Sequence, residues 1–313
     1  MSEASTADAT PTVLARILES TRAEVAQREQ QVPRAALDQQ LHAQASAVDS
    51  AADELAVDVD PSASTRPRGF RAALARPGVA VIAEFKRRSP SAGTLQAEPD
   101  LAQIVDAYAG GGASALSVLT EQPNFGGSLA DLQAARARCG LPLLRKDFVV
   151  DDYQLLEARV AGADAVLLIV AALADEQLRS LHERARELGL DVLVEVHDRA
   201  EVDRALALGA ELIGINNRDL RDFSVDVSRT HALRDAIPAG VVVVSESGIA
   251  APAQLRELAR AGVDAVLVGE ALMRAESPAQ ALGELLAYDA PAESNIAGAG
   301  GADDVLAGGE AAE

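Results

Sequence analysis

The run LPLLRKDF, residues 141–148, joins an apolar half to a charged end carrying Arg145, Lys146 and Asp147. Gly140 stands directly before it, and helix-length amphipathic sequence stands before the glycine. That unit recurs along the chain. Gly78, Gly112, Gly140, Gly162, Gly189, Gly209, Gly240 and Gly262 each precede an apolar run: VAVIAEF, SALSVLT, LPLLRKDF, DAVLLIV, DVLVEV, ELIGIN, VVVVSES and DAVLVGE. Intervening segments such as DEQLRSLHERARELG and APAQLRELARAG carry the apolar spacing of helices with one buried face. A glycine closing each helix fits the left-handed cap that precedes a strand. Runs of Val, Ile and Leu without polar alternation belong to strands buried on both faces, hence to a parallel sheet. Eight such units in succession predict a closed (β/α)8 barrel, because an open doubly wound sheet usually has about five or six strands.

The flanks read differently. Residues 11–41 have helical spacing, with Val13, Leu14, Ile17, Leu18 and Val25 on one face and Pro33 dividing the stretch. From Ser46 to Arg68 the composition turns to Ala, Asp, Ser and Pro, which predicts a flexible insert or exposed loop. After Leu286 the chain becomes rich in Ala and Gly and acidic, the composition of a disordered tail. The expected organisation is an N-terminal helical extension over residues 1–77, a barrel over 78–287 and a tail over 288–313.

Composition narrows the class. The 313 residues are 49% hydrophobic with no tryptophan, and the formal net charge is −20, which excludes nucleic acid as a general partner because phosphate backbones are bound by clustered Lys and Arg. A single cysteine, Cys139, excludes an internal disulfide and a cysteine-rich metal site, and fits a reducing compartment. The N-terminus is polar and acidic without the apolar core of a secretory signal. The longest apolar run, residues 165–174, falls far short of the roughly 18 residues of a membrane span. A soluble, cytoplasmic protein that binds neither nucleic acid nor membrane is expected. His42, His182, His197 and His231 have no second ligand at metal-binding spacing, so no metal is expected.

Of 28 basic residues only Lys86 and Lys146 are lysines. Arginine keeps its proton near neutrality, whereas a lysine ammonium can be tuned by burial and neighbours to donate one. Both lysines could be survivors of an arginine-biased composition. Each nevertheless sits at the carboxyl end of an apolar run, where parallel barrels place their ligands. The same strand ends carry Glu84, Glu195, Asn216, Asn217, Arg218, Ser245, Glu246, Ser247, Gly248, Gly269 and Glu270. Burying Glu84, Lys146 and Glu195 unpaired would be costly, so three such groups at the ends of apolar strands point to a shared site.

The loops after the last two strands, SESGI and VGEAL, hold Gly248 and Gly269, at which backbone N–H groups can approach an anion closely. This is the usual phosphate site of such barrels, and Ser89 and Arg218 could join it. Either glycine alone could be a turn residue. The fourth run offers nothing titratable; with Phe85, Phe125 and Phe148 it could wall a flat ring, or simply pack the core.

These residues resemble the indole-3-glycerol phosphate synthase family of tryptophan biosynthesis. The resemblance rests on IAEFKRRSPSAG, LPLLRKDFVVDDYQ, VLVEVHD, IGINNRDL and VVVSESGI, in the family's order and spacing, and covers residues 12–287. Departures are a longer stretch between Ser46 and Thr65, Glu270 where some members have serine, and the acidic tail. The resemblance implies a carboxy-lyase without cofactor, acting on 1-(2-carboxyphenylamino)-1-deoxyribulose 5-phosphate. Ring closure and loss of carbon dioxide and water give indole-3-glycerol phosphate. On that basis Lys146 matches the general acid and Glu195 the general base. Lys86 matches the residue that holds the substrate carboxylate, and Glu84 and Asn216 match partners that orient the lysines and a sugar hydroxyl. Ser89, Gly248 and Gly269 match phosphate contacts, while Arg218, Glu246 and Ser247 match residues around the substrate, and Glu270 stands at one further phosphate position.

Two alternatives remain at this level. Phosphoribosylanthranilate isomerase would share the barrel and the anionic aromatic amino-sugar phosphate ligand, but would be expected to use a cysteine and an aspartate. Here Cys139 precedes the third run, at the wrong end of a barrel. A non-catalytic phosphosugar-binding barrel would have no need of Lys86, Lys146 and Glu195 together. Other tryptophan-pathway enzymes are conceivable partners that nothing in the sequence indicates.

Overall fold

The structure is a computed structural model that describes residues 12–54 and 67–288. Eight strands form the barrel: β1 (Ala80–Phe85), β2 (Ala115–Leu119), β3 (Leu143–Lys146), β4 (Ala165–Ile169), β5 (Asp191–Val196), β6 (Leu212–Asn216), β7 (Val242–Glu246) and β8 (Ala265–Val268). Each pairs in parallel with the next in sequence. β8 then pairs with β1, Ala80 opposite Ala265 and Ile82 opposite Leu267, which closes the cylinder. The expected (β/α)8 barrel is the observed one. Of the eight glycines read as helix caps, seven have positive φ and Gly140 does not; the helix before Gly140 ends instead at Cys139 in extended conformation.

Strand side chains alternate, so each strand fills the barrel with one set and meets the surrounding helices with the other. Ile82, Leu144, Leu167, Leu193, Val244 and Leu267 pack together inside. Val81, Val118, Val166, Ile213 and Val266 belong to the outer cluster. This alternation carries Glu84 inward and Phe85 outward, where Phe85 packs in the cluster of Ile104 and Val105 with the Arg87 guanidinium 5.2 Å from its ring centroid. Of the two readings left open for Phe85, core packing is the one observed. The same parity divides the fourth run, from which Leu168 and Val170 face the helices.

The helices close both ends and coat the outside. α1 (Val13–Gln31), α2 (Arg34–Glu54) and α3 (Phe70–Leu74) precede the barrel. α3 plugs its amino end: Phe70 and Leu74 are buried with the interior residues, and the backbone N–H of Arg71 donates to Asp191 at 2.8 Å. Asp164 and Asp264, from the matching sequences AGADAV and AGVDAV, lock neighbouring strands by accepting the backbone N–H of Leu143 at 2.7 Å and of Val243 at 2.8 Å. α1 lies across the carboxyl end, where Ile17 and Leu18 join the inner cluster. The remaining helices are α4 (Leu101–Gly110), α5 (Leu129–Arg138), α6 (Asp152–Val160), α7 (Asp175–Glu187), α8 (Arg199–Leu208), α9 (Ser228–Arg234), α10 (Pro252–Arg260), α11 (Glu270–Arg274) and α12 (Pro278–Leu286).

α1 is tied to α6 through Arg28, whose Nε donates to Glu157 at 2.7 Å. Glu157 also accepts from Arg145, a fully buried guanidinium paired with Asp147 at 2.9 Å. Tyr153 and Leu156 of α6 pack with Val25 of α1 and Leu37 of α2. α2 runs on to Glu54, eight residues past Ser46, where a loop was expected. The alanine-rich sequence AQASAVDSAADE explains the difference, since alanine is the strongest helix former. The rest of that expected insert, residues 55–66, and the acidic tail from residue 289 lie outside the described residues. Tyr288 still contacts the barrel, its hydroxyl accepting the backbone N–H of Val79. Among the described residues no helix is long and apolar enough to cross a membrane.

Candidate active site

Register sets the charged residues at one level of the barrel. Asn216 lies opposite Glu246, Leu119 opposite Lys146, and Ile169 opposite Glu195. Above this layer opens a cavity of about 480 Å³, into which Glu84, Lys86, Lys146, Glu195, Asn216 and Glu246 project. Ser89, Phe125, Phe148, Arg218, Ser247, Gly248, Gly269 and Glu270 also line it, so the structure brings the sequence-derived site residues around one space.

The charges form two clusters. Lys86 Nζ donates to Glu84 Oε1 at 2.6 Å, and Ser117 Oγ lies 3.4 Å from the other oxygen. Lys146 Nζ donates to Glu195 Oε2 at 3.2 Å and stands 3.6 Å from Glu246 Oε2. One ammonium cannot neutralise both acids. Burial raises the Glu195 carboxyl, but the nearer Lys146, with His197, overrides it and holds the group down at about 2. Glu246 takes the opposite course: burial, reinforced by Glu195 and Glu84, pushes it up to about 8 against the pull of Lys146. Burial alone would depress Lys146; the surrounding carboxylates outweigh it and hold the ammonium protonated well above its ordinary range. Asn216 Oδ1 accepts from Ser247 Oγ at 2.9 Å and from the backbone of Arg218 at 3.0 Å, which fixes the amide at the rim.

One wall is apolar. The Phe125 and Phe148 rings stand 6.4 Å apart, tilted by 43°, with Leu167 and Ile169 of β4 beside them. The opposite rim suits an anion. Ser247 and Gly248 both have positive φ, and a Cβ at Gly248 would come within 2.7 Å of Val225 and 2.8 Å of Val227, so only glycine fits there. Arg218 and Arg274 border this end. Glu270 sits between them, 3.1 Å from Arg274 and 4.0 Å from Arg218, so its charge is balanced rather than opposed to an anion.

The family model for indole-3-glycerol phosphate synthase matches residues 14–285. The chain belongs to that family. It is 56% identical over 225 residues to indole-3-glycerol phosphate synthase 2 of Streptomyces coelicolor, covering 72% of this chain and 85% of that protein. It is 47% identical over 273 residues to indole-3-glycerol phosphate synthase of a Parafrankia species, covering 87% of this chain and 94% of that protein. Among solved structures, 3-hexulose-6-phosphate synthase from Salmonella typhimurium superposes with a TM-score of 0.52 at 17% identity, covering 66% of this chain and 96% of that one. That likeness is one of fold alone.

Set against indole-3-glycerol phosphate synthase, several groups at the site were not anticipated from the sequence. Leu14 and Ile17 of α1 line the cavity, as does Arg274 of α11. Glu121, also on the lining, accepts the backbone N–H of Asn124 at 2.8 Å and of Phe125 at 2.9 Å, fixing the loop that presents the Phe125 ring. His197 sits behind Glu195, with Nε2 3.4 Å from Glu195 Oε1. The spacing of His197 and Glu201, four residues apart at the start of a helix, was the available signal for that pairing. Cys139 is buried, and burial raises its thiol pKa, as befits a core residue.

Proposed function

We propose that this chain acts as an indole-3-glycerol phosphate synthase on 1-(2-carboxyphenylamino)-1-deoxyribulose 5-phosphate, with the cavity above the Lys146–Glu195 pair as its active site. The observation that carries the reading is the convergence of Lys86, Lys146 and Glu195 from three separate strands on one cavity with an aromatic wall and an anion-suited rim. The substrate has matching parts: a flat ring for the Phe125 and Phe148 side, a ring carboxylate for Lys86, and a phosphate for Ser89, Arg218, Gly248 and Gly269.

In this reading the ring carbon attacks the keto carbonyl while Lys146 protonates the carbonyl oxygen. The carboxylate then leaves as carbon dioxide, its bonding pair returning to the ring system, and loss of water completes the indole. A protonated Lys146 is the form a donor requires, and a developing alkoxide is a far stronger base than the carboxylates that hold the ammonium. Donation also removes the positive charge that depresses Glu195, so Glu195 becomes a better base only after the acid step. The order of events, acid first and base second, follows from the 3.2 Å contact between the two groups. Each acid or base step is worth about 10²- to 10⁴-fold in rate. Glu84 orients Lys86, while Asn216, Glu246 and Ser247 hold the sugar hydroxyls. Residues 78–287 make up the catalytic unit, with the helical segment through residue 77 and the stretch from 288 as additions to it. A cytoplasmic enzyme without cofactor is the setting this reading favours.

Incubating the protein with the carboxyphenylamino sugar phosphate and following indole fluorescence tests it. Product formation with stoichiometric carbon dioxide is expected, and a protein that binds the substrate without forming indole would leave only the binding-barrel reading.

A further inference from the structure

His197 does not line the cavity, yet it is one of the most constrained side chains near it. β5 ends at Val196, and the next residue turns back beneath the Glu195 carboxylate. Nε2 of the imidazole faces Glu195 Oε1 at 3.4 Å, while Nδ1 faces Glu201 Oε2 at 3.1 Å. The same Glu201 oxygen accepts the backbone N–H of His197 at 2.7 Å, so one carboxylate at the start of α8 fixes both the backbone and the ring. Glu195 Oε1 and His197 Nε2 are both buried, and among the described residues neither makes a well-formed hydrogen bond, so their 3.4 Å approach is an ion-pair contact, with the Asn216 amide also bearing on the Glu195 carboxylate. Glu195 Oε2, by contrast, points to Lys146.

We propose that His197 is a positioning residue for the reaction: clamped by Glu201, it holds Glu195 from behind, so that one carboxylate oxygen is occupied and the other is presented to Lys146 and the substrate. The proposal rests on the reading of Glu195 as the base. An imidazole with a carboxylate on each nitrogen keeps both ring protons, because each nitrogen is then a donor and the ring charge is matched on two sides. Both partners outweigh burial and raise His197 to about 10. The titratable groups facing this pair are Glu201 on α8, Lys146 on β3 and Glu246 on β7, with Glu84 on β1 acting on Glu246 in turn. Only Lys146 and His197 are cations, so removing the imidazolium takes away one of the two charges that keep Glu195 ionised.

The consequence is a pH-dependent loss. A cation within hydrogen-bonding distance lowers a carboxyl by about 1 to 3 pH units. In His197→Ala the acid limb of kcat/KM should move up by at least about one pH unit, toward the ordinary carboxyl value of about 4.3, with kcat reduced about 10-fold or more at neutral pH and KM little changed. His197→Gln keeps a donor toward Glu195 without the charge; it should recover part of kcat but retain the shifted limb. Glu201→Gln, which leaves the imidazole in place but loosens it, should move the limb in the same direction by less. Profiles of His197→Ala that superpose on wild type, or that fall by one constant factor at every pH, would overturn the proposal. Glu195→Gln separates this outcome from failure of the underlying reading. Near-normal kcat in that variant removes Glu195 from the base role, whereas an inactive Glu195→Gln beside a pH-flat His197→Ala rejects His197 alone.

Discussion

Gly269 offers a test in which geometry sets the magnitude. Its φ is −123°, so alanine does not require a left-handed backbone there, and the peptide N–H that a phosphate would use is retained. The side chain has no room: a Cβ there would stand 2.5 Å from Glu84 Oε1 and 3.0 Å from Lys86 Nζ. Ordinary contact begins near 3.4 Å, so the Glu84 carboxylate must retreat by most of an ångström and its lysine by a few tenths, and neither neighbour is the free end of an exposed chain. Overpacking of this kind costs about 1–3 kcal/mol, and displacement of a catalytic constellation by about 1 Å costs roughly 10²-fold in rate. Gly269→Ala should therefore lower kcat by about two orders of magnitude. At roughly 2–4 °C per kcal/mol it should also lower Tm by several degrees. Steady-state kinetics and thermal unfolding measure the two effects on one preparation. If KM alone rises while kcat holds, Gly269 serves the phosphate and does not make space for the Glu84–Lys86 pair; if neither moves, the packing argument fails.

Other consequences follow from the same charges and contacts. Glu246, pushed up to about 8 from 4.5, is protonated in the folded protein and ionised in the unfolded chain between those values, so it lowers stability as pH rises through that window. The fall in Tm between about pH 5 and 8 should flatten in Glu246→Gln, and an unchanged slope would show that this acid is ionised in the fold. Glu157→Ala leaves the buried Arg145 guanidinium with Asp147 as its remaining acid and cuts the tie to Arg28 of α1. Denaturant unfolding should register a loss of about 3–5 kcal/mol, and a loss under 1 kcal/mol would speak against a charge network at α6. Glu121→Ala frees the loop carrying Phe125, so KM for the aromatic substrate should rise by more than kcat falls; equal KM would mean that Phe125 does not bear on the ring.

Much of this architecture was legible because the barrel repeats. A glycine and an apolar run recur eight times, with a polar strand end after all but the fourth, and the strand parity that buries Ile82 also carries Glu84 inward. Parity also decides what local reading leaves open, since Phe85 could have joined a wall with two other phenylalanines or packed the core, and it faces the helices. Lys146 was identifiable as one of two lysines and Glu195 as an acid ending an apolar strand. His197, Glu121 and Arg274 were not, because their importance lies in contacts with groups already at the site rather than in rarity of type. The extent of α2 was misjudged for another reason: Asp and Ser within an alanine-rich stretch resemble loop sequence, yet alanine propensity carries the helix through Glu54.

The proposed chemistry requires Lys146 to give up a proton. Lys146→Arg keeps a positive charge between Glu195 and Glu246 but offers a guanidinium that does not release its proton near neutrality. The decisive measurement is kcat of Lys146→Arg with the carboxyphenylamino sugar phosphate, alongside substrate binding and Tm. A fold and affinity close to wild type with kcat reduced at least about 10²-fold is the predicted result, and a near-normal kcat would contradict it.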